Sequence, residues 1–457
     1  MVGGGYYNNA SGNYSTVGGG YVNDATGYRS TVSGGYSNTA SGSDSTISGG
    51  DDNTASGSVS TISGGGANVA SGDISTISGG SFNYASMDYS TVSGGTVNAA
   101  NGLYSTVSGG VCNTANADYA TIGGGGDQEC ILGNLVTDNW GTVSGGIGNQ
   151  AGDNAGDIDD HEFATVSGGI LNTASGEEST VGGGYANISS GSYSKVGGGN
   201  HNTASGNYAT VGGGVSNTAS GNYATVGGGG NNTASGADSF AAGSYAFATH
   251  HGSFVWSSWS VTDSWGNNTF TARSHGGVRF YTASGTSTGV QLASGGGSWG
   301  SLSDRNMKHN IIPVNTLAVL EELADLPIST WSYTSQDDSI RHMGPMSQDF
   351  YASFGLGEDE RYIGTLDAEG VALAAIQGLY QVNQEQAKQV EQIKKENAQL
   401  LKENETLNAQ LESLGSRLDA LEGGDHPQRD SLYGILIGAL LIGLIGWGAP
   451  KLSRRFS

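Results

Sequence analysis

Along the first 240 residues apolar side chains recur singly: one Val or Ile, one Ala eight positions later, then the same pair again fifteen residues on, in a field of Gly, Ser, Thr and Asn. Aligned on Thr16, Thr31, Thr46, Thr61, Thr76, Thr91, Thr106 and Thr121, the unit reads T-[VI]-x-G-G-x-x-N-x-A-x-G-x-x-[SA]. It resumes at Thr142 and Thr165 and continues through Thr180, Lys195, Thr210 and Thr225. A phase held this strictly predicts stacked coils rather than a Gly/Ser linker. The Val/Ile positions would form an apolar ladder, the glycines take turn conformations that other residues resist, and the asparagines hydrogen-bond from coil to coil. One β-branched residue and one alanine per unit look insufficient to bury a core alone, so several chains side by side are expected.

Two stretches, 126–141 ("GDQECILGNLVTDNWG") and 150–163 ("QAGDNAGDIDDHEF"), break the phase and are expected to loop out. From about Phe240 to 302 the pattern changes to aromatic and β-branched residues at strand spacing, predicting a β-rich neck. Residues 303–375 read as a small α+β unit. From Ile376 a heptad begins, with Ile376, Asn383, Val390, Asn397, Asn404, Leu411 and Leu418 at a, and Leu379, Gln386, Ile393, Leu400, Leu407, Leu414 and Leu421 at d. This predicts a parallel trimeric coiled coil over 376–422, its polar a residues setting register. Gly423, Gly424 and Pro427 lie in a linker over 423–431. Residues 432–449 carry no charge, and about 18 apolar residues suffice for a bilayer span, with 450–457 a basic tail. The expected architecture is therefore mainly β: a trimeric β-roll or solenoid head over 1–239, a β neck, an α+β domain, a coiled coil and one transmembrane helix.

The formal net charge is -24, and Arg29 and Lys195 are the only cations before residue 240. Such a surface cannot neutralise phosphates, which excludes nucleic acid as a partner. The basic tail predicts a C-terminus on the inner side of the membrane and the fibre outside, with a tail anchor that keeps the fibre in the cytosol as the alternative. No signal peptide is visible, and Met1 stands in the Thr phase of the first unit, as expected of a truncated or mis-started frame. Cys112 and Cys130 are either a disulfide or two unrelated thiols. Asp157, Asp159, Asp160, His161 and Glu162 crowd the second insertion, but their spacing matches no EF-hand loop and a solvated acidic loop is expected, with no metal. His250 and His251 lack a ligand set and read as structural. Trp256, Trp259 and Trp265 form either a carbohydrate-stacking platform or neck packing.

The repeat is similar to the β-roll heads of YadA-type trimeric adhesins and to repeats of phage-like tail fibres, with a unit one residue longer than is usual in the adhesins. "SDRNMKHNI", followed by "VLEELADLPISTWSY", "IRHMGPMSQDFY" and "VALAAIQGLYQ", closely resembles the self-cleaving intramolecular chaperone of phage endosialidase tailspikes, over about residues 300–380. The resemblance implies a proteolytic pair, Ser303 and Lys308, acting once and in cis on the Leu302–Ser303 bond, with no cofactor and no external substrate. Asp304 either orients Lys308 or caps a helix. The chemistry is coherent: a lysine can activate a serine hydroxyl once its own pKa is depressed, and the carbonyl under attack is the serine's neighbour. The function expected is a homotrimeric surface or tail-type fibre, anchored in a membrane, whose chaperone assembles the trimer and then releases residues 1–302. A host glycan or receptor would be the head's ligand. The alternatives are a carbohydrate-binding or hydrolysing tailspike and a clamp that never cuts; residues 1–302 show no recurring carboxylate pair placed for glycoside hydrolysis.

Overall fold

The computed structural model describes residues 1–422 apart from Gly285 and Ser287. The chain divides into two compact units, with the boundary between Leu302 and Ser303.

In the first unit most fifteen-residue coils carry two strands of two residues, and the coil that opens at Thr225 lengthens its first strand to Thr225–Gly230. Thr16–Val17, Thr31–Val32 and Thr46–Ile47 belong to one ladder, and Asp24–Ala25, Thr39–Ala40 and Thr54–Ala55 to the other. Each strand pairs in parallel with its equivalent one coil away, as in Thr16↔Thr31 and Asp24↔Thr39. Within a strand the side chains alternate, Thr half-buried outside and Val or Ile inside. Val17, Ala25, Asn23, Val32, Ala40 and Asn38 are all 0% exposed. The expectation that the coils need neighbouring chains to bury their core is thus not met. Each coil is thin enough for its two ladders to face one another, so a single chain closes the interior, and each enclosed Val contributes about 1.5–3 kcal/mol.

The asparagines carry the polar half of that interior. Asn38 Nδ2 donates to Asn23 Oδ1 at 3.1 Å, to Gly34 O at 3.1 Å and to Gly50 O at 2.9 Å, while Asn38 N donates to Asn23 Oδ1 at 3.0 Å. A buried amide so surrounded keeps its hydrogen bonds without water. The second glycine of each pair is dictated by space: Gly35 has φ +100°, and a Cβ there would stand 2.2 Å from Gly50 O.

Both insertions leave the register intact, since Thr121 pairs with Thr142 and Thr142 with Thr165. They loop out less than expected. Asn134 joins the asparagine ladder, Leu135–Val136 pairs with Thr114–Ala115, and Gln150–Ala151 pairs with Leu135–Val136. The replacement of Thr-Ala by Leu-Val hides the repeat phase there in the sequence. Cys112 and Cys130 form a disulfide that ties the first loop to its coil.

Phe240–Ser244, Phe254–Ser257 and Phe270–Arg273 extend the first ladder with longer strands, and the rings of Phe240, Phe254 and Phe270 stack at 4.9 and 4.8 Å. That is the spacing of neighbouring strands, so identical positions on successive coils stack without adjustment. An antiparallel sheet of Val278–Tyr281, Gly289–Leu292 and Trp299–Ser301 completes this unit.

The second unit holds a 3₁₀ turn, Arg305–Met307, then helix α1 (Thr316–Asp325), a hairpin of Ser329–Trp331 with His342–Gly344, helix α2 (Ser347–Phe354) and helix α3 (Thr365–Glu422). Asn315 caps α1 by accepting from Leu317 N and Ala318 N, and Gly355 at φ 60° ends α2. Leu326, Phe350 and Val371 form a small core joined by Val319, Leu323, Phe354 and Ile363. Gly378 lets α3 approach α1, because a Cβ there would lie 2.3 Å from Thr316 O.

Two expected elements are corrected. The heptad stretch 376–422 is part of one 58-residue helix that packs its first turns on α1 and α2, and Val390, Ile393, Leu400, Leu407, Leu411, Leu414 and Leu418 are exposed. The structure shows a single helix and no coiled coil. The transmembrane helix and the membrane anchoring built on it are likewise not supported: among the described residues no helix is long and apolar enough to cross a membrane. The long helix that is described, α3, is too charged to span a bilayer, with Glu385, Lys388, Glu391, Lys394, Lys395 and Glu396 within a few turns. The linker over 423–431, the span over 432–449 and the tail over 450–457 lie outside the described residues.

Candidate active site

The Ser303–Lys308 segment opens the second unit immediately after the last strand of the first. Its shape follows from its residues. Asp304, in an extended conformation, accepts from Asn306 N at 2.9 Å and from Asn306 Nδ2 at 3.1 Å, which starts the 3₁₀ turn. Lys308 closes the turn, its N–H donating to Arg305 O, and returns to extended backbone at φ -118°, ψ 146°. Three residues of tight helix thereby fold the two ends of the segment towards each other. Lys308 Nζ donates to Ser303 Oγ at 2.6 Å, a short, charge-assisted bond.

The structure thus brings Ser303 and Lys308 together and leaves Asp304 on a different task, with its carboxylate turned to Asn306. Leu302 donates its N–H to Gly289 O and is 43% exposed. Ser303, Asp304 and Lys308 are all exposed. Chemically, the arrangement holds a hydroxyl beside an amine next to the carbonyl of Leu302, the parts needed for an attack in cis.

The other positions singled out by sequence are scattered. Trp259 and Trp265 are 74% and 78% exposed, while Trp256 sits half-buried in its strand. His250 Nδ1 lies 2.7 Å from Ser264 Oγ, and His251 Nδ1 lies 3.5 Å from Asp238 Oδ2. In the acidic insertion Asp157 accepts from Asp159 N, and Asp159 accepts from Asn139 Nδ2 at 2.5 Å. Asp160 and His161 instead meet Asp153 and a residue that sequence reasoning missed, Asp138. Burial pushes the Asp138 carboxyl up to about 6; the Asp153 N–H opposes this, and the charges of Asp153 and Asp160 reinforce it. Asp138 belongs to the other insertion, twenty-two residues before Asp160, and no spacing rule links the two.

Residues 303–355 match the family model described as the chaperone of endosialidase, and residues 30–42 and 45–57 match that of the ubiquitous surface protein adhesin repeat. No curated protein matches the chain. The chain thus carries stretches similar to an adhesin repeat near its start and a stretch similar to the endosialidase chaperone from Ser303.

Proposed function

We propose that the protein is a homotrimeric fibre of the surface-adhesin or tail-fibre kind whose C-terminal module assembles three copies and then cuts the Leu302–Ser303 bond in cis. The hydrogen bond from Lys308 Nζ to Ser303 Oγ, at the first residues of the second unit, carries this reading.

The lysine first sheds a proton. Nζ then takes the hydroxyl proton as Ser303 Oγ attacks the Leu302 carbonyl carbon through a five-membered ring. Nζ returns the proton to the Ser303 nitrogen as the C–N bond breaks, leaving an ester between Leu302 and Ser303 Oγ. Water hydrolyses that ester, so the products are a Leu302 carboxylate and a new N-terminus at Ser303. Proximity is inherent, because nucleophile and carbonyl belong to adjoining residues.

Assembly supplies what one chain lacks. Lys308 is exposed, and further copies packing around it would supply the desolvation that helps a lysine act as a base. The same unit displays Ile312 at 79%, Met343 at 75%, Tyr362 at 72% and Ile376 at 62% exposure, apolar surface that supports further copies packing against it. Cleavage then follows trimerisation and releases residues 1–302. The adhesin-type repeats and the Cys112–Cys130 disulfide support work outside the cell, where a glycan or protein receptor is the head's ligand.

Intact-mass and denaturing-gel analysis of the parent beside Ser303→Ala and Lys308→Ala tests this. The parent should split before Ser303, with both variants whole and with turnover reduced by about 10³-fold or more. A parent that trimerises yet stays intact would make the module a clamp that never cuts.

A further inference from the structure

The two insertions of the solenoid meet on its side. Asp138 comes from the turn that ends the first, and Asp153, Asp160 and His161 from the second, and one ligand atom from each lies within 4.8 Å of all the others. Acidic clusters at a protein surface are ordinary, but this one has a buried member. Asp138 is 1% exposed, and its Oδ1 is buried with no hydrogen-bond partner. Its Oδ2 accepts from Asp153 N at 2.8 Å, which fixes the carboxylate against the second insertion. His161 Nδ1 is also buried without a hydrogen-bond partner, 3.2 Å from Asp160 Oδ1 and 3.4 Å from Asp153 Oδ2. Two further carboxylates and an imidazole are therefore gathered beside a buried carboxylate, one oxygen of which the protein itself leaves unsatisfied, an arrangement that a cation resolves.

We infer that Asp138, Asp153, Asp160 and His161 bind a divalent cation of the Zn²⁺ class. The imidazole argues against the all-oxygen cages of Ca²⁺ and Mg²⁺, whereas mixed imidazole and carboxylate sets suit Zn²⁺. Neighbouring ligand atoms of a tetrahedral zinc centre stand about 3.4 Å apart, given Zn–N and Zn–O bonds of about 2.1 Å. The His161–Asp160 and His161–Asp153 separations of 3.2 and 3.4 Å already match two of those edges. Outer contacts hold the frame: Asn139 N donates to Ile158 O, Phe163 N to Asn139 O, and Asn139 Nδ2 to Asp159, so the residue after Asp138 is stitched to the loop carrying the other ligands. The cation adds to these hydrogen bonds a clamp between the second insertion and the turn that carries Asp138.

Titration calorimetry of the untagged, chelator-treated full chain with Zn²⁺ and Ca²⁺ separately, beside Asp138→Asn and His161→Ala, tests the site. The parent should take up one equivalent of Zn²⁺ per chain, and each variant should bind at least about 100-fold more weakly. If Asp138→Asn loses its thermal transition, His161→Ala, on the half-exposed loop, decides alone. No stoichiometric Zn²⁺ uptake overturns the inference. So does uptake unchanged in the folded variants, which puts the ion elsewhere, or binding of Ca²⁺ in preference to Zn²⁺, which removes the imidazole from the ligand set.

Discussion

At the scale of single residues, hydrogen bonds to charged groups decide local order in the second unit, where little is buried. Asp337 shows this on an exposed turn: Ser339 Oγ donates to its carboxylate at 2.6 Å and Ser339 N at 2.9 Å, and both hold its carboxyl below the usual range. A carboxylate whose folded pKa is depressed stabilises the fold above its unfolded pKa, near 3.9, and that contribution disappears as pH falls through the folded pKa. In a titration followed by carboxyl ¹³C shifts, Asp337 should therefore protonate below the ordinary aspartate value, and Ser339→Ala should move it back up. The Ser303–Lys308 pair belongs to the same scale. Its residues were legible from motif and resemblance, but the contact depends on a 3₁₀ turn started by Asp304, whose role the sequence left open between cap and orienter. The structure shows the cap.

At the scale of the element, the repeat is held by its asparagine ladder as much as by its valines. Asn53 Nδ2 donates to Asn38 Oδ1, Gly49 O and Gly65 O, and its Oδ1 accepts from Asn68 N and Nδ2. Asn53→Ala leaves several buried groups without partners, each costing about 1–3 kcal/mol. Amide exchange should accelerate across coils 38–68 while distant coils stay protected, as nearest-neighbour stacking requires. Asn53→Asp should be worse, because a buried carboxylate would face the carbonyl oxygens of Gly49 and Gly65 with no proton to offer. Exchange unchanged in both variants would mean that the backbone ladders alone hold the coils.

At the scale of the whole molecule, the proposed function couples association to chemistry. Ile312→Glu combined with Met343→Glu, both on exposed apolar positions of the chaperone module, should reduce the trimer seen by light scattering and slow cleavage in parallel. A monomer that still cuts at the parental rate would break that coupling. The same scale explains the two corrected elements. Heptad spacing describes which face of a helix is apolar, and α3 has such a face; whether another helix lies against it is a property of the assembly, not of the spacing. Hydropathy of residues 432–449 likewise bears on a segment outside the described residues, and α3 itself is far too charged to cross a bilayer.

The amino-acid sequence by itself determined the period of fifteen, the Val/Ile, Ala and Asn positions that face inward, and the start at Ser303 of the stretch similar to the endosialidase chaperone. These are repetitive, local choices, and a feature copied in every coil leaves the same mark each time. Tertiary structure alone decided the rest. It showed that a single chain closes the coil core, because two facing ladders lie close enough to exclude water. It returned residues 134–141 to the coils, joined Cys112 to Cys130, and carried Asp138 to Asp160 and His161. Contacts between unlike, non-repeating segments leave no periodic signal, so only the path of the folded chain could place those carboxylates around one imidazole.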